Sequence, residues 1–242
     1  LNLTILHTND LHGTLDEAFA QQIRDLKTDD SLYFDCGDCI KAGNLAIPLK
    51  PDPVWALLEK AGCDAGIPGN RESQILRSAF KAKVGPARNP LLCANLRLKS
   101  GERPLPGQMV FEKAGIKIGV IGVMVPMVTE SMAAKAASAY LWDSPISTAC
   151  AIAKRLRKEV DCLIALTHIG FKRDAELAEA CPDLDMIFGA HSHLKLDSPA
   201  RFGKVWVFQA ASHGKYVGKV VWSPSDGLVD SELIPRVVST SV

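Results

Sequence analysis

The sequence predicts a single α/β domain, on three observations. Strand-like apolar runs alternate with amphipathic stretches along most of the chain. After residue 193 the runs become strand-like with only turns between them. There is no internal repeat, low-complexity tract or convincing linker. At 242 residues the chain is long enough for one large domain. Hydrophobic residues make up 47% and charged residues 23%, the profile of a soluble globular protein. The net charge of +1 gives no electrostatic case for a nucleic-acid polymer or an anionic membrane as partner. The longest apolar run, Ile116 to Val128, contains Lys117, two glycines and Pro126 and is too short to span a bilayer. No membrane insertion is therefore expected.

The elements follow in order. Leu3–Leu6 reads as a first strand, Glu17–Lys27 as an amphipathic helix and Leu32–Cys36 as a second strand. A Pro-rich loop (Pro48, Pro51, Pro53) leads to a helix over Val54–Ala61, closed by Gly62. A short strand, Asp64–Ile67, runs into Pro68-Gly69-Asn70, where Asn70 is placed to cap a helix over Glu72–Lys83. Leu91–Ala94 reads as a strand. Met109–Lys113 and Lys117–Met124 flank Ala114-Gly115 and predict a hairpin. Ser131–Ala139 is Ala-rich and ambiguous. Asp143 is placed as N-cap of a helix over Ser144–Glu159 with Pro145 in its first turn, and Arg155, Arg157 and Lys158 as its solvated face. Strand Cys162–Leu166, helix Arg173–Ala180 and strand Asp185–Phe188 follow. Val205–Gln209, Val217–Trp222 and Leu228–Ile234 predict antiparallel pairing at the end.

Five of these strands end in a side chain able to hold a metal. Asp10 and His12 follow the first; two residues apart in an extended segment, they would point to one side. Asp38 follows the second strand and Asn70 the short third. His168 follows Cys162–Leu166, and His191 and His193 follow Asp185–Phe188. Open α/β sheets bind ligands beyond the carboxyl ends of their strands. Were these strands parallel neighbours, seven O and N donors would meet in one crevice, beside glycines at 37, 69, 170 and 189. Seven donors exceed one four-coordinate ion. They suit two divalent ions sharing a carboxylate, the arrangement that favours in-line attack of hydroxide on a phosphoryl centre. A mixed His, Asp and Asn set suits Mn, Zn or Fe. Taken singly, an Asp at a turn, an Asn at a cap or a His at a strand end is ordinary; the set in this order is not.

Ile5-Leu6-His7-Thr8-Asn9-Asp10-Leu11-His12-Gly13 resembles the opening motif of the 5′-nucleotidase branch of the calcineurin-like metallophosphoesterases. Asp35-x-Gly37-Asp38, Gly69-Asn70-x-Glu72, Ala94-Asn95, Thr167-His168-Ile169-Gly170 and Gly189-x-His191-Ser192-His193 are similar to its later blocks, in the same order. Gln209-Ala210 through Gly214-Lys215-Tyr216-Val217-Gly218 resembles its final strand pair. The resemblance covers essentially the whole chain. It implies a four-layer α/β/β/α sandwich of two mixed sheets with a dinuclear site at one edge. By the family's motif, Asp10, His12 and His193 hold the first metal, Asn70, His168 and His191 the second, and Asp38 bridges them. His7 is no ligand in that pattern, and a supporting role behind the ligands is open. The family is commonly exported, which implies a periplasmic or extracellular location, and the chain's start at Leu1 without Met agrees with that.

Two departures from the family stand out. It normally reads Gly-Asn-His-Glu, with the His assisting the phosphoryl transition state and an Asp shortly after orienting it. Here those positions are Arg71 and Gln74. Arginine is no general acid near neutral pH, but its guanidinium binds phosphoryl or sulfonate oxygens. Asn70 and Arg71 are thus the residues expected at the reacting group. His213, on the Ser212–Gly214 turn, is a candidate substitute acid, with an ordinary surface histidine as the plainer reading. The second departure is length: residues 1–242 match the metallophosphatase domain, and no C-terminal nucleotide-binding domain is expected. Seven cysteines are an odd number, so at least one is unpaired within the chain. Cys36 and Cys39 flank Asp38 and are read as small packed residues rather than a redox pair or soft ligands.

The expected function is a two-metal phosphohydrolase acting on a small-molecule phosphate ester. The competing readings are hydrolysis at a sulfur oxyanion, as in related thiosulfohydrolases, and a module that binds metal and oxyanion without turnover.

Overall fold

The computed structural model describes residues 1–237. Strands β1 (Leu3–Thr8), β2 (Ser31–Asp35) and β3 (Ala65–Gly66) run parallel, joined through helices α1 (Glu17–Leu26) and α2 (Val54–Ala61). Asp16 caps α1 by accepting the Phe19 N–H at 2.9 Å, and Gly62 closes α2 with a left-handed φ of 76°. Helix α3 (Arg77–Val84) and strand β4 (Leu96–Leu98) lead to the hairpin of β5 (Gln108–Lys113) and β6 (Ile116–Met124). Residues Ala133–Ala136 form a single 3₁₀ turn, and β7 (Tyr140–Trp142) pairs with β4 as a two-stranded ribbon. Helix α4 (Pro145–Leu156), β8 (Cys162–His168), α5 (Phe171–Ala180) and β9 (Met186–Phe188) follow. Strands β10 (Ala200–Phe202), β11 (Val205–Phe208), β12 (Tyr216–Ser223) and β13 (Gly227–Pro235) complete the chain.

Two mixed sheets result, ordered β13-β12-β1-β2-β3 and β10-β11-β9-β8-β6-β5. The period-2 pattern of each strand decides the layers. Leu3, Ile5, Leu32 and Phe34 from the first sheet meet Ile118, Val120, Ile164, Leu166, Met186 and Phe188 from the second in a shared core. The alternate residues face outward under helices. Leu6 and Tyr33 pack with Phe19 and Ile23 of α1 and Trp55 and Leu58 of α2. Ile121, Val123, Leu163 and Ile187 pack with Ala149 and Ala153 of α4 and Leu177 of α5. This is the four-layer α/β/β/α sandwich, built as one domain.

Several local readings are corrected. Residues 72–76 are not helical, so Asn70 caps nothing, and α3 starts only at Arg77. The reason is Glu72, whose buried carboxylate is drawn inward by the N–H groups of Asp38, Gly69 and Ile40. Leu91–Ala94 is buried but makes no strand. The N–H groups of Leu92, Cys93 and Ala94 donate to Gly66, Pro106 and Gly122, three different segments. Ser144 rather than Asp143 caps α4. Arg157 is no solvated side chain: it donates to Asp185 Oδ2 at 2.5 Å and to the Val160 and Asp161 carbonyls at 2.7 and 2.6 Å. At the chain's end β12 and β13 pair antiparallel as expected, but β11 lies in the other sheet, parallel to β9.

Candidate metal centre

The parallel strands of both sheets end at one edge of the sandwich, and the loops beyond them face each other. The crevice therefore lies between two sheets, not along one. The loops after β1 and β2 are zipped together: Asp10, His12 and Gly13 N–H groups donate to the carbonyls of Gly37, Asp38 and Cys39 at 3.0, 2.8 and 2.7 Å. Asp10 and His12 converge for a different reason from the extended one expected. Both have φ of 51°, in the left-handed region. Asp38, His191, His193 and His213 share it, at 54°, 74°, 56° and 58°. Strained backbone of this kind persists where surrounding contacts over-determine it, and it concentrates at functional sites.

Two groups of side chains meet there. His12 Nε2 and His193 Nε2 are 3.0 Å apart, and Asp10 Oδ1 lies 3.9 and 3.3 Å from them. Asn70 Oδ1 lies 3.1 Å from His168 Nε2 and 2.9 Å from His191 Nδ1, and Asp38 Oδ1 is 3.5 Å from His168 Nε2. Asp10, Asp38 and His168 also bring ligand atoms within 4.8 Å of one another, so Asp10 touches both groups.

The donor set fits a bound cation. His168 Nδ1 is 2.8 Å from the Cys36 carbonyl, which only accepts, so Nδ1 carries a proton and Nε2 is the nitrogen left to offer a lone pair to an ion. Asn70 donates its Nδ2 to Asn44 Oδ1 at 2.9 Å, which turns Oδ1 toward the histidines. Lone pairs of Nε2, Oδ1 of Asn70 and Oδ1 of Asp38 thus face each other, an arrangement that a positive charge between them relieves. Burial, then the charge of Arg71, hold His12 down to about 4, so its ring is neutral at pH 7 and free to coordinate. Burial lowers His191 likewise.

The carboxylates are held from behind. Asn9 Nδ2 donates to Asp10 Oδ2 at 2.8 Å, and the His191 N–H does so at 3.0 Å. Glu72 Oε2 accepts the Asp38 N–H at 2.9 Å and the Gly69 N–H at 2.8 Å, fixing the loop on either side of the site. Only a glycine fits at 69, because a Cβ there would stand 2.2 Å from Asp38 Oδ1. Burial pushes Asp38 and Glu72 up.

A calcineurin-like phosphoesterase family pattern matches residues 3–195. The chain belongs to that family. It is 30% identical over 290 residues to Protein UshA of Yersinia enterocolitica, covering 97% of this chain and 52% of that protein. It is 30% identical over 288 residues to a 5′-nucleotidase of Vibrio cholerae, covering 96% and 51%. The chain thus spans about half the length of these curated relatives. The fold is shared with the sulfate thiohydrolase SoxB of Thermus thermophilus, at a TM-score of 0.81 and 18% identity over 97% of this chain and 56% of that one.

Within this phosphoesterase domain, Arg71 does stand at the site. Its backbone N–H donates to Asp38 Oδ1 at 2.7 Å, and its Nε lies 3.9 Å from Asp38 Oδ2. Gln74 makes no contact that could orient a proton donor at 71: it bonds the Asn44 carbonyl at 3.4 Å and the Ile75 N–H at 2.8 Å. His213 is exposed on its turn, yet its ring centroid is 4.8 Å from that of His12. His7 is buried against Phe188 and Phe208, away from the ligand atoms. Cys36 and Cys39 are buried, and burial holds both thiols well above their ordinary range. All seven cysteines are free thiols. Among the described residues no helix is long and apolar enough to cross a membrane. Asn9, Asn44 and Asp174 carry parts of the site that sequence reading missed. Asn9 also binds the Ala210 N–H, 201 residues on, Asn44 accepts from Asn70, 26 residues on, and Asp174 from Gln209, 35 residues on, and no local spacing signals these pairs.

Proposed function

We propose that this domain is a dinuclear metal-dependent phosphohydrolase acting on a 5′-nucleotide or a similar small phosphate ester. The observation that carries the reading is the meeting of seven lone-pair donors from both sheets, with acceptors facing acceptors at His168, Asn70 and Asp38. Asp10, His12 and His193 would hold one divalent ion, and Asn70, His168 and His191 the other. Asp38 is assigned the shared ligand on the family resemblance; its Oδ1 lies 3.5 Å from His168 Nε2 and accepts the Arg71 N–H at 2.7 Å, and its Oδ2 lies 3.9 Å from Arg71 Nε. Two such ions, whether Mn, Zn or Fe, would lower the pKa of a bound water and would offset negative charge on phosphoryl oxygens.

The chain's own groups do the rest. The Asn70 amide and Arg71 guanidinium flank the reacting group; Arg71, partly exposed beside Asp38, is placed to hold a phosphoryl oxygen by charge-assisted hydrogen bonds. Arg71 cannot protonate a leaving group, so esters whose leaving anion is stable in water suit this site best. A location outside the cytoplasm is part of this reading, supported by the family resemblance alone.

The test is phosphate release from an aryl phosphate, 5′-AMP and a bis-aryl phosphodiester by protein loaded with Mn²⁺, Zn²⁺ or Fe²⁺, with Asp38→Asn alongside. Turnover of the monoesters that Asp38→Asn abolishes is expected. Two bound ions with no turnover would leave a metal and oxyanion-binding module instead, and turnover indifferent to Asp38→Asn would end the two-metal reading.

A further inference from the structure

The loop Gly189–Leu194 carries two of the histidines, yet Ser192 and His193 are exposed and both histidines have left-handed backbone. Something must hold this loop in place. Behind it lies a continuous hydrogen-bonded chain. Thr167 Oγ1, one residue before His168, donates to Asp174 Oδ1 at 2.6 Å. Asp174 Oδ2 accepts Gln209 Nε2 at 3.2 Å. Gln209 Oε1 accepts the Ser192 hydroxyl at 2.9 Å and the Leu194 N–H at 3.3 Å. The Ser192 oxygen in turn accepts the Phe171 N–H, at the start of α5, at 3.1 Å. Asp174 and Gln209 are buried. Gly189 lets them approach the loop, since a Cβ there would stand 2.2 Å from Asp174 Oδ2 and 2.9 Å from Gln209 Nε2.

The polarity of this chain is determined. A backbone N–H only donates, so Leu194 requires the Gln209 oxygen to face it. The Gln209 amide nitrogen must then face Asp174, which must accept. One buried carboxylate on α5 thereby sets the orientation of an amide on the far side of the loop, and that amide grips the loop on both sides of His193.

We propose that Asp174 and Gln209 are positioning residues for metal binding: they hold His191 and His193 in register with Asn70 and Asp10. This rests on the two-metal reading above. Groups behind metal ligands typically change affinity by about 10-fold to 100-fold when lost.

The test is titration of Mn²⁺ into the apoprotein, followed by calorimetry and by the electron spin resonance of free Mn²⁺, with the Tm of each apoprotein measured beside it. Gln209→Met keeps side-chain length and removes all three of its side-chain bonds; a loss of Mn²⁺ affinity of about 10-fold or more is expected. The swapped pair Asp174→Asn with Gln209→Glu restores every donor to an acceptor, because the Asn nitrogen then faces one Glu oxygen and Leu194 the other. It is expected to bind Mn²⁺ within about threefold of the parent. Ser192→Ala, at the exposed end, should fold normally and lose part of the affinity, which keeps the test open if Gln209→Met does not fold. A lowered Tm with unchanged affinity in Gln209→Met and Ser192→Ala would overturn the proposal, as would a swapped pair no better than Gln209→Met. Parent protein that binds no Mn²⁺ would instead overturn the two-metal reading itself.

Discussion

Arg71 Nε stands 3.9 Å from Asp38 Oδ2, while the Arg71 N–H donates to Asp38 Oδ1 at 2.7 Å. Arg71 is thus locked by its backbone to the carboxylate proposed as the shared ligand. Its side chain brings a fixed positive charge to the place where a phosphoryl group would sit.

That placement predicts how the leaving group matters. Arg71→Ala should lower kcat/KM on an aryl phosphate by about 10-fold to 100-fold, the scale of losing one charged donor to a phosphoryl oxygen. Arg71→His, combined with Gln74→Asp, should raise hydrolysis of an alkyl monophosphate relative to the aryl one, since general acid catalysis contributes about 10²–10⁴ where a leaving group needs a proton. Steady-state rates on both substrates decide this. Equal rates on alkyl and aryl esters in the parent would contradict the assignment of Arg71.

Glu72 offers a separate handle. Its two oxygens accept N–H groups from Asp38, Gly69 and Ile40, and the Cys39 thiol besides. Glu72→Gln places an NH₂ group against two of these donors in either orientation. The expected cost is about 1–3 kcal/mol of stability in urea unfolding of the apoprotein. Mn²⁺ affinity should also fall, because the loop bearing Asp38 shifts. An unfolding midpoint and an affinity both unchanged would show that the carboxylate is not what fixes the loop.

Metal binding should appear as stability. An ion that binds only the folded chain stabilises it by about 2.7 kcal/mol at a free concentration 100 times its Kd. Thermal unfolding in Mn²⁺ should therefore lie several degrees above unfolding in chelator. The gap should close in His193→Ala and in Asp38→Asn. A gap that survives both substitutions would place the stabilising ion elsewhere.

His7 predicts a pH dependence. Burial between the two sheets lowers it from 6.5 to about 3. Between those values the unfolded chain binds a proton that the fold refuses. Stability is therefore complete above pH 6.5 and falls as pH drops toward 3, by at most about 1.4 kcal/mol per pH unit. Asp174 acts oppositely: burial raises it from 3.8 to about 7, so it favours the fold at the acid end of the same range. Comparing the apoprotein with His7→Gln isolates the histidine. The two stability profiles should run parallel above pH 6.5 and their gap should narrow as the pH falls from 6.5 toward 3; a gap that stays constant over the whole range would mean that His7 is not the buried neutral group described.

The order of strands and helices was legible in the sequence because each apolar face repeats at the period of its element. Leu3, Ile5, Leu32 and Phe34 could face only a second layer, and they do. The ligand-type residues were legible for a like reason: each stands just past the end of an apolar strand, where no packing need explains an Asp or a His. Local pattern failed where a distant partner overrode it. Glu72 left its expected helix to serve N–H groups more than 30 residues away. Leu91–Ala94 looked like a strand and became a buried bridge between three segments.

By itself the sequence determined the α/β class, the family and the chemistry of the donor set, because residue type and periodicity are local properties. Only the tertiary structure decided that the donors come from two facing sheets, that Asp10 and His12 converge through left-handed backbone, and that Asp174 and Gln209 stand behind the histidine loop. Those are relations between residues up to about 200 positions apart. They exist only once two sheets have packed and the polar groups buried between them have had to find one another.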